Sequence, residues 1–565
     1  MQLEYDADSL FIGGRWSAGT GRARTTWVAP STEEIYGRSV QPTEADADAA
    51  VEAARQAFRE GPWRKLSVHE RGALLRRAVA MAQPKISGIA VTSAYEIGAP
   101  LGVTTMFAQV VTTVVDRMCD LAAAVPDVEA GTGLWEYQIQ REPAGVVLDI
   151  VPWNSPFTAT MMKSAQALLA GCSVISKPPP SAPFAVRAWA EALDQAGLPQ
   201  GVYSILPAEA DVSEYLVTHP GVDLVVFTGG TPVGRRVAEL CGRSLKRVVL
   251  ELGGKSAAVV LDDADLQAAA DAVASGVYYN SGQICSALSR MIVPRPAVEE
   301  VVERLRAKAS ALVIGSPLEP TTTMGPLASR THQQRVLDRI SAGEHDGAQL
   351  VFGGRRPPGL PRGWFVEPAL FVSTNQTSIA REEVFGPVVT VIPYDGDDEA
   401  VEIANDSDYG LGGSVFAADE ERALRVASRL DTGSVTINGY TTNLLAARDP
   451  RKWSGSGPVT GVAGFQSFRS SRLVNLRAAA GAWAPATLFA DAGAPEPPLE
   501  GDLHVHHAVR VPRRGRRRRV RRVDAAAGGQ DARAARQRPL PGPARPARSR
   551  GPGPHRGLGD RAGSP

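Results

Sequence analysis

Cys285, in the stretch NSGQICS at residues 280–286, is the residue of this sequence best suited to nucleophilic chemistry. The stretch contains a glycine and precedes a pattern that predicts a helix. A thiol at a helix start can have its pKa lowered by backbone N–H groups and the helix dipole. The alternative is a buried, inert cysteine. The four cysteines of the chain lie far apart and form no CxxC pair, which indicates a reducing compartment and no disulfide framework.

Two further polar residues follow predicted strands. Glu251 stands before Gly253 and Gly254, so its carboxylate is expected at the carboxyl end of a parallel strand, where a general base would face a ligand. The alternative is a surface glutamate paired with Lys255. Asn154 lies in the loop VPWNSP, which two prolines and a tryptophan make rigid. An amide held in one direction can stabilise an oxyanion, whereas an ordinary turn residue is the alternative.

The stretch FTGGTPVGR at residues 227–235 has the features of a phosphate site. It follows a predicted strand, and Thr231 is expected to cap a helix whose first position is Pro232. Three glycines leave the helix N-terminus open to an anion: Gly229, Gly230 and Gly234. The standard GxGxxG fingerprint is absent, so an ordinary strand, turn and helix is the alternative.

The elements that must position these residues alternate between helix and strand through residues 1–480, which predicts an α/β protein with a mainly parallel sheet. Four short segments rich in Val, Ile and Leu are typical of buried strands: 145–151, 222–227, 247–252 and 257–261. Longer helical patterns occupy 182–196 and 266–277, and Thr43 with Asp46 forms a capping box before another helix.

Taken together, these stretches resemble the NAD(P)-dependent aldehyde dehydrogenase superfamily. Six of its motifs occur in the family order and spacing: PWNSP (152–156), FTGGTPVGR (227–235), ELGGKS (251–256), GQIC (282–285), EEVFGPV (382–388) and YGLGGSVF (409–416). The likeness extends from FIGGRW at 11–16 to GSVTIN at 433–438. It implies two open, doubly wound parallel-sheet domains and a small β oligomerisation flap.

The resemblance also divides the chain. It implies a cofactor-binding domain in 1–124 and 144–252, the first part of the flap in 125–143 and a catalytic domain in 253–445. Residues 446–480 are expected to hold an altered family segment and the final oligomerisation strand, and 481–565 a basic, disordered tail. The implied assembly is a homodimer or a homotetramer.

Roles for individual residues follow from the same resemblance. Cys285 matches the family's nucleophile, Glu251 its general base and Asn154 its oxyanion-hole amide. The cofactor site is matched by Trp153, Lys177, Gly229, Gly230, Gly234, Leu252, Glu383 and Phe385. The implied reaction oxidises an aldehyde to a carboxylic acid and transfers a hydride to NAD(P)+. It passes through a thiohemiacetal and a thioester on the cysteine, and water hydrolyses the thioester.

Two segments depart from the family pattern. Three prolines follow Lys177, so Pro180 stands where the family often has a glutamate that accepts a hydrogen bond from the adenosine ribose. NAD is the expected cofactor, and NADP stays open because a carboxylate that would repel a 2′-phosphate is missing. The second departure is at 447–463, where the family's Pro-Phe-Gly-Gly run is absent.

Charge separates the tail from the rest of the chain. Residues 481–565 hold 17 arginines, no lysine and 7 acidic residues, a net charge of +10, whereas residues 1–480 carry −9. With 12 prolines and 12 glycines as well, the tail is predicted to be disordered. Arginine without lysine is typical of GC-rich DNA translated in a wrong frame. A frameshift is therefore one hypothesis for 447–463 and the tail, and a genuine extension is the other.

Two functions remain open at this point. The leading one is aldehyde oxidation; the alternative is an impaired relative whose RRGRRRRVRR segment at 513–522 binds polyanions non-specifically. The histidines at 504, 506 and 507 lack companion ligands, so no metal site is expected. No apolar run reaches the ~20 residues of a membrane span, and the N-terminus has no basic leader. We therefore expect a cytoplasmic protein without a membrane partner or a specific nucleic-acid partner.

Overall fold

Two large β-sheets form the centre of the part of the chain that the computed structural model describes, residues 5–133 and 135–478. Within these residues the first sheet has eight strands, of which five consecutive ones, from Arg247–Glu251 to Tyr203–Ile205, run parallel. In spatial order they are Gly455–Ser456, Arg247–Glu251, Leu224–Thr228, Val146–Ile150, Ser173–Lys177, Tyr203–Ile205, Ser9–Ile12 and Arg15–Ala18. The strands at both edges pair antiparallel.

The second sheet has seven strands within the same residues, and all but one edge strand are parallel. Their spatial order is Gln349–Gly353, Ala369–Val372, Val388–Tyr394, Arg290–Pro294, Ala257–Val260, Gly413–Phe416 and Val435–Ile437. Gln349–Gly353 is the antiparallel edge.

Both faces of the large sheets are buried. Because successive side chains of a strand point to opposite sides, neighbouring residues of one strand pack into different apolar clusters. In the first sheet Val147 packs into one apolar cluster and its neighbour Leu148 into another. Val259 and Val260 divide in the same way in the second sheet. The helices of the described chain are Glu44–Glu60, Val68–Ala82, Ile86–Ile97, Leu101–Ala123, Pro156–Leu169, Arg187–Gln195, Ala210–Thr218, Thr231–Arg243, Leu266–Val277, Val298–Ser310, Arg330–His345, Ser378–Arg381, Asp397–Asn405, Glu420–Ala427 and Gly461–Ser467.

Three smaller sheets complete the described residues. The long strands Trp135–Pro143 and Arg469–Ala478 pair antiparallel, with Val128–Thr132 on the outer side of the first; we call this three-stranded sheet the flap. The others join Tyr5–Ala7, Ile35–Val40 and Arg24–Val28, and Tyr409–Gly410 with Arg451–Lys452.

The sheets confirm the predicted α/β class with parallel sheets. All four predicted strands are present within a residue or two of their expected bounds. The capping box of Thr43 and Asp46 begins Glu44–Glu60, and the predicted helix 266–277 is Leu266–Val277. The helix expected over 182–196 is shorter, Arg187–Gln195, because the chain before it forms turns around Pro183.

The predicted tail, 481–565, lies outside the described residues, as do its histidines and the RRGRRRRVRR segment. Among the described residues, none of the helices combines the length and the apolar content that a membrane span requires.

Candidate active site

The parallel strands of the eight-stranded sheet end at one edge, and a cleft of about 400 Å³ lies there. Lys177 and Glu251 are the last residues of two strands, and Gly229 follows a third. The loop with Trp153 follows the fourth. Cys285, which precedes a strand of the other large sheet, borders the same cleft. Sheet topology thus gathers side chains that are far apart in the sequence.

The backbone turns sharply just before Cys285. Asn280, Ser281 and Gly282 have φ angles of 48°, 56° and 73°, a left-handed conformation that is costly for residues with a side chain. A Cβ on Gly282 would lie 2.0 Å from the carbonyl oxygen of Gly386, so only glycine fits at this position. The strained turn holds the cysteine backbone at the cleft.

Burial raises the pKa of the Cys285 thiol to about 12, and the nearby carboxylate of Glu251 acts in the same direction. The guanidinium of Arg448 lowers this pKa in part. The prediction of a helix start after Cys285 is wrong, because the chain continues through a turn into the strand Arg290–Pro294. Cys285 therefore does not lie at the N-terminus of a helix, and burial is the largest influence on the pKa of its thiol.

The Asn154 amide points toward the loop that carries Cys285. Its Nδ2 donates a 2.8 Å hydrogen bond to the carbonyl oxygen of Gln283, and the main-chain carbonyl of Asn154 accepts a 3.2 Å bond from Asn280 Nδ2. Asn154 is only 9% exposed. The side-chain amide is thus fixed beside the loop that carries Cys285, as the rigid PWNSP sequence predicts.

Glu251 is buried, and its Oε1 accepts a hydrogen bond from Arg448 Nη2 within an ion pair. The side chains are 7% and 11% exposed. The alternative of a surface glutamate paired with Lys255 is therefore wrong. Lys255 is itself buried, and its ammonium has no hydrogen-bond partner among the described residues. Burial lowers the pKa of that ammonium to about 7.

One end of the cleft offers a cation and open backbone donors, which fit the ribose and phosphates of a dinucleotide. Burial lowers the pKa of Lys177 to about 8, and its Nζ has one long hydrogen bond, 3.4 Å to the carbonyl of Ala208. Gly229 and Gly230 line the cleft before the helix Thr231–Arg243, whose first N–H groups lack intrahelical acceptors. Pro180 lines the cleft as well.

The start of that helix differs by one residue from the expectation. Gly230, in an extended conformation, is the cap, and Thr231 is the first helical residue. The Thr231 hydroxyl donates to the carbonyl of Trp453 at 3.3 Å. Gly234 does not border the cleft; a Cβ there would lie 2.3 Å from the side chain of Leu252, so it allows close packing.

The other end of the cleft suits a ribose and a flat ring. Glu383 accepts a 3.0 Å bond from the Gly254 N–H, and burial raises its pKa to about 7. A Cβ on Gly253 would lie 2.2 Å from Glu383 Oε2, which explains the glycine there. Phe385, at φ 55°, packs edge-to-face on Trp153 with ring centroids 5.3 Å apart. The donors and rings present thus fit both halves of a nicotinamide dinucleotide.

Sequence reasoning missed three residues of this site. His332 lines the cleft and packs against the rings of Trp153 and Phe385. Burial lowers its pKa to about 4, so it is neutral, and its Nε2 donates to the Phe385 carbonyl at 2.8 Å. Arg335, one helical turn further on, also lines the cleft. The third is Arg448. His332 and Arg335 share a helix face, which is a weak signal, and no local pattern marks Arg448.

Comparison with known proteins places the whole described body in one family. The model of the aldehyde dehydrogenase family matches residues 16–474. Geranial dehydrogenase of Castellaniella defragrans is 39% identical over 84% of this chain and its own full length. The 3-succinoylsemialdehyde-pyridine dehydrogenase of a Pseudomonas species is 39% identical over 83% of this chain and 98% of its own.

Solved structures agree with these relatives. An aldehyde dehydrogenase of Mycobacterium tuberculosis complexed with NAD+ has a TM-score of 0.82 and 37% identity, and the match covers 84% of this chain and 99% of that one. Aldehyde dehydrogenase C of Pseudomonas syringae, complexed with NAD+ and octanal, has a TM-score of 0.81 and 36% identity over 83% and 96% of the two chains. The activity of this protein is the NAD(P)-dependent oxidation of an aldehyde to a carboxylic acid, and the chain belongs to the aldehyde dehydrogenase family.

Proposed function

We propose that Cys285 is the nucleophile of this oxidation, Glu251 the general base and Asn154 the donor that stabilises the oxyanion. One observation supports the set above all: the Asn154 amide donates to the carbonyl of Gln283, two residues before the thiol that borders the cleft. A donor and a nucleophile held this close have the arrangement needed for addition to a carbonyl.

The reaction then proceeds on the cysteine. Cys285 Sγ forms a bond to the aldehyde carbon as its proton passes to solvent, and the carbonyl oxygen becomes an oxyanion that accepts from Asn154 Nδ2. The thiohemiacetal becomes a thioester when its C–H hydrogen leaves with the bonding electrons. NAD(P)+, when bound, supplies the acceptor for that hydride. Glu251 removes a proton from water, the water oxygen attacks the thioester carbon, and the C–S bond breaks to release the acid and the thiol.

The cofactor residues take defined positions in this proposal. Lys177 lies nearest the adenosine end, with Gly229 and Gly230 at the phosphates and Gly234 and Leu252 packed beneath them. Trp153, Glu383 and Phe385 hold the nicotinamide riboside. NAD is the proposed preference, and the cleft also tolerates NADP because Pro180 places no carboxylate at the ribose.

We also propose that the chain forms a homodimer or homotetramer through the flap and works in the cytoplasm. The flap exposes large apolar side chains in a single sheet: Leu473 is 59%, Leu476 54% and Val128 48% exposed. Exposed apolar groups gathered on a small sheet favour association. The four cysteines are all free thiols, which is consistent with a reducing compartment. Light scattering of the purified full chain tests the assembly.

A panel of aldehydes tests the function and finds the substrate class. The full chain is mixed with NAD+ or NADP+, and reduced cofactor is followed by its absorbance. The panel includes a branched unsaturated terpenoid aldehyde, an aromatic ketoaldehyde and straight-chain aldehydes such as octanal, since these are the types that the relatives' names describe. We expect turnover with at least one class. A folded protein that reduces neither cofactor with any member would contradict the proposal.

A further inference from the structure

The loop formed by residues 446–460, which we call the Arg448 loop, is attached to the strand that carries Glu251. Its strand Gly455–Ser456 pairs with Arg247–Glu251 and places Gly455 opposite Glu251. Ser454 continues the attachment, since its carbonyl accepts from the Leu252 N–H at 2.8 Å and its hydroxyl donates to the Gly253 carbonyl at 2.7 Å.

The two ends of the loop hold Arg448 in place. Arg448 and Val459 are backbone partners, with the Val459 N–H donating to the Arg448 carbonyl at 3.0 Å. The Thr460 hydroxyl donates to the carbonyl of Ala446 at 2.6 Å. Arg448 thus reaches Glu251 from a closed and anchored loop, although 197 positions separate the two residues.

The resulting ion pair is buried, and Glu251 is the only acidic partner of Arg448 among the described residues. Arg448 Nε is buried without a hydrogen-bond acceptor in the same part of the chain. Among the described residues, no other carboxylate pairs with the guanidinium when Glu251 turns away. Separating such a buried pair is costly because it leaves an uncompensated charge.

This pairing bears on the second half of the reaction. To activate water, Glu251 must direct a carboxylate lone pair at the water beside the thioester, and the ion pair through Oε1 fixes the orientation of the carboxylate. The guanidinium cannot take over as base, since it stays protonated. The first half is affected differently, because the guanidinium's charge favours ionisation of the Cys285 thiol.

We propose that Arg448 is a positioning residue that restrains Glu251, so that thioester hydrolysis rather than hydride transfer limits turnover. This inference rests on the proposed function of Cys285 and Glu251. Arg448 holds the base in the ion pair, and each turnover waits for the carboxylate to turn from the guanidinium toward the water beside the thioester. The acylated enzyme is then the form that accumulates.

The restraint of Glu251 by Arg448 can be tested by rapid-mixing kinetics. The full chain is mixed with NAD(P)+ and an aldehyde that it oxidises. The unmodified chain is expected to release about one NAD(P)H per site in a fast burst, followed by slower turnover. Hydroxylamine attacks the thioester without a base, breaks the C–S bond and forms a hydroxamate, so it should speed the slow phase. Arg448→Met, which keeps a long side chain without charge, should raise kcat about tenfold and abolish the burst and the effect of hydroxylamine.

Arg448→Lys and Arg451→Met complete the design. The lysine variant retains a cation and should keep the burst. Arg451, in the same loop as Arg448, is exposed and pairs with Asp431, so its substitution should change neither phase. Thermal melting and cofactor titration establish that each variant is folded, and hydroxylamine acting on the unmodified chain gives an answer even if Arg448→Met does not fold.

Three results would overturn the inference: turnover of the unmodified chain without a burst, no acceleration by hydroxylamine, or a folded Arg448→Met whose kcat is unchanged or lower. Burst-free turnover would leave the proposed function standing and remove only the role of Arg448. No NAD(P)H at all from a folded chain would remove both.

Discussion

The cleft and the Arg448 loop both lie beside the residues proposed to be catalytic, but they are built in different ways. In the cleft, Lys177 and Gly229 stand at the ends of parallel strands, so sheet topology alone brings them together. In the loop, the strand segment has two residues, and one charged side chain makes the decisive contact with Glu251. The cleft's function is thus spread over many groups, whereas the loop's influence depends on a single ion pair.

The difference has a physical consequence for substitutions. A change at one cleft residue leaves several other contacts to the cofactor, so its effect on binding should be moderate. A change at the residues that touch the reacting carbon should act on the rate instead. The predictions below separate these two kinds of residue, beginning with the largest effect.

Cys285→Ala should abolish aldehyde oxidation, with a fall in kcat of about 10⁴-fold or more, because no covalent addition is then available. Cofactor affinity should change little, since the cleft's other groups remain. Initial rates and a titration of protein fluorescence with NAD+ measure the two quantities. Cys119→Ala is the matched control, because Cys119 is buried in the helix Leu101–Ala123, away from the cleft. A variant at 285 that keeps substantial activity would exclude this cysteine as the nucleophile.

Asn154→Ala should lower kcat by about 10²–10³-fold, the usual cost of losing one oxyanion donor. KM should move far less, because the interaction strengthens only as negative charge develops on the oxygen. Steady-state kinetics over a range of aldehyde concentrations gives the comparison. A rise in KM at constant kcat would show that the amide binds the ground state and is not the oxyanion donor.

Pro180→Glu should shift the preference toward NAD by about tenfold, because the new carboxylate would accept from a ribose 2′-hydroxyl and repel a 2′-phosphate. The ratio of kcat/KM values for NAD and NADP is the measurement. Pro180→Ala separates the new charge from the loss of the rigid ring, and it should leave the ratio close to its starting value. An unchanged ratio in the glutamate variant would mean that this loop does not lie at the ribose.

The cleft could be predicted from the sequence to a large extent, because the sequence signals that mark it lie next to the residues that form it. Short β-branched segments followed by glycine or a polar residue predict the strands that end near Glu251 and before Gly229. The strand that ends at Lys177 is not among the predicted ones, and only the family resemblance points to that lysine. The prolines and the tryptophan of the PWNSP loop likewise predict a rigid amide at Asn154. These signals lie within a few residues of the side chains that they position.

What the sequence could not predict depends on distant contacts. The ion pair of Glu251 with Arg448 joins segments 197 positions apart. The direction of the Cys285 pKa shift follows from burial among several loops and from a turn where a helix start was expected. In each case a residue outside the local pattern decided the outcome.

The most direct test of the account is the fate of Glu251→Gln during a single reaction. The variant should form about one NAD(P)H per site and then stop, since the thiol can still add to the aldehyde but the general base for hydrolysis is gone. Mass spectrometry of the stalled protein should find the acyl group on the peptide that contains Cys285, and not on those with Cys119, Cys172 or Cys241. Continued turnover at the rate of the unmodified chain, or an acyl group on another cysteine, would contradict the account.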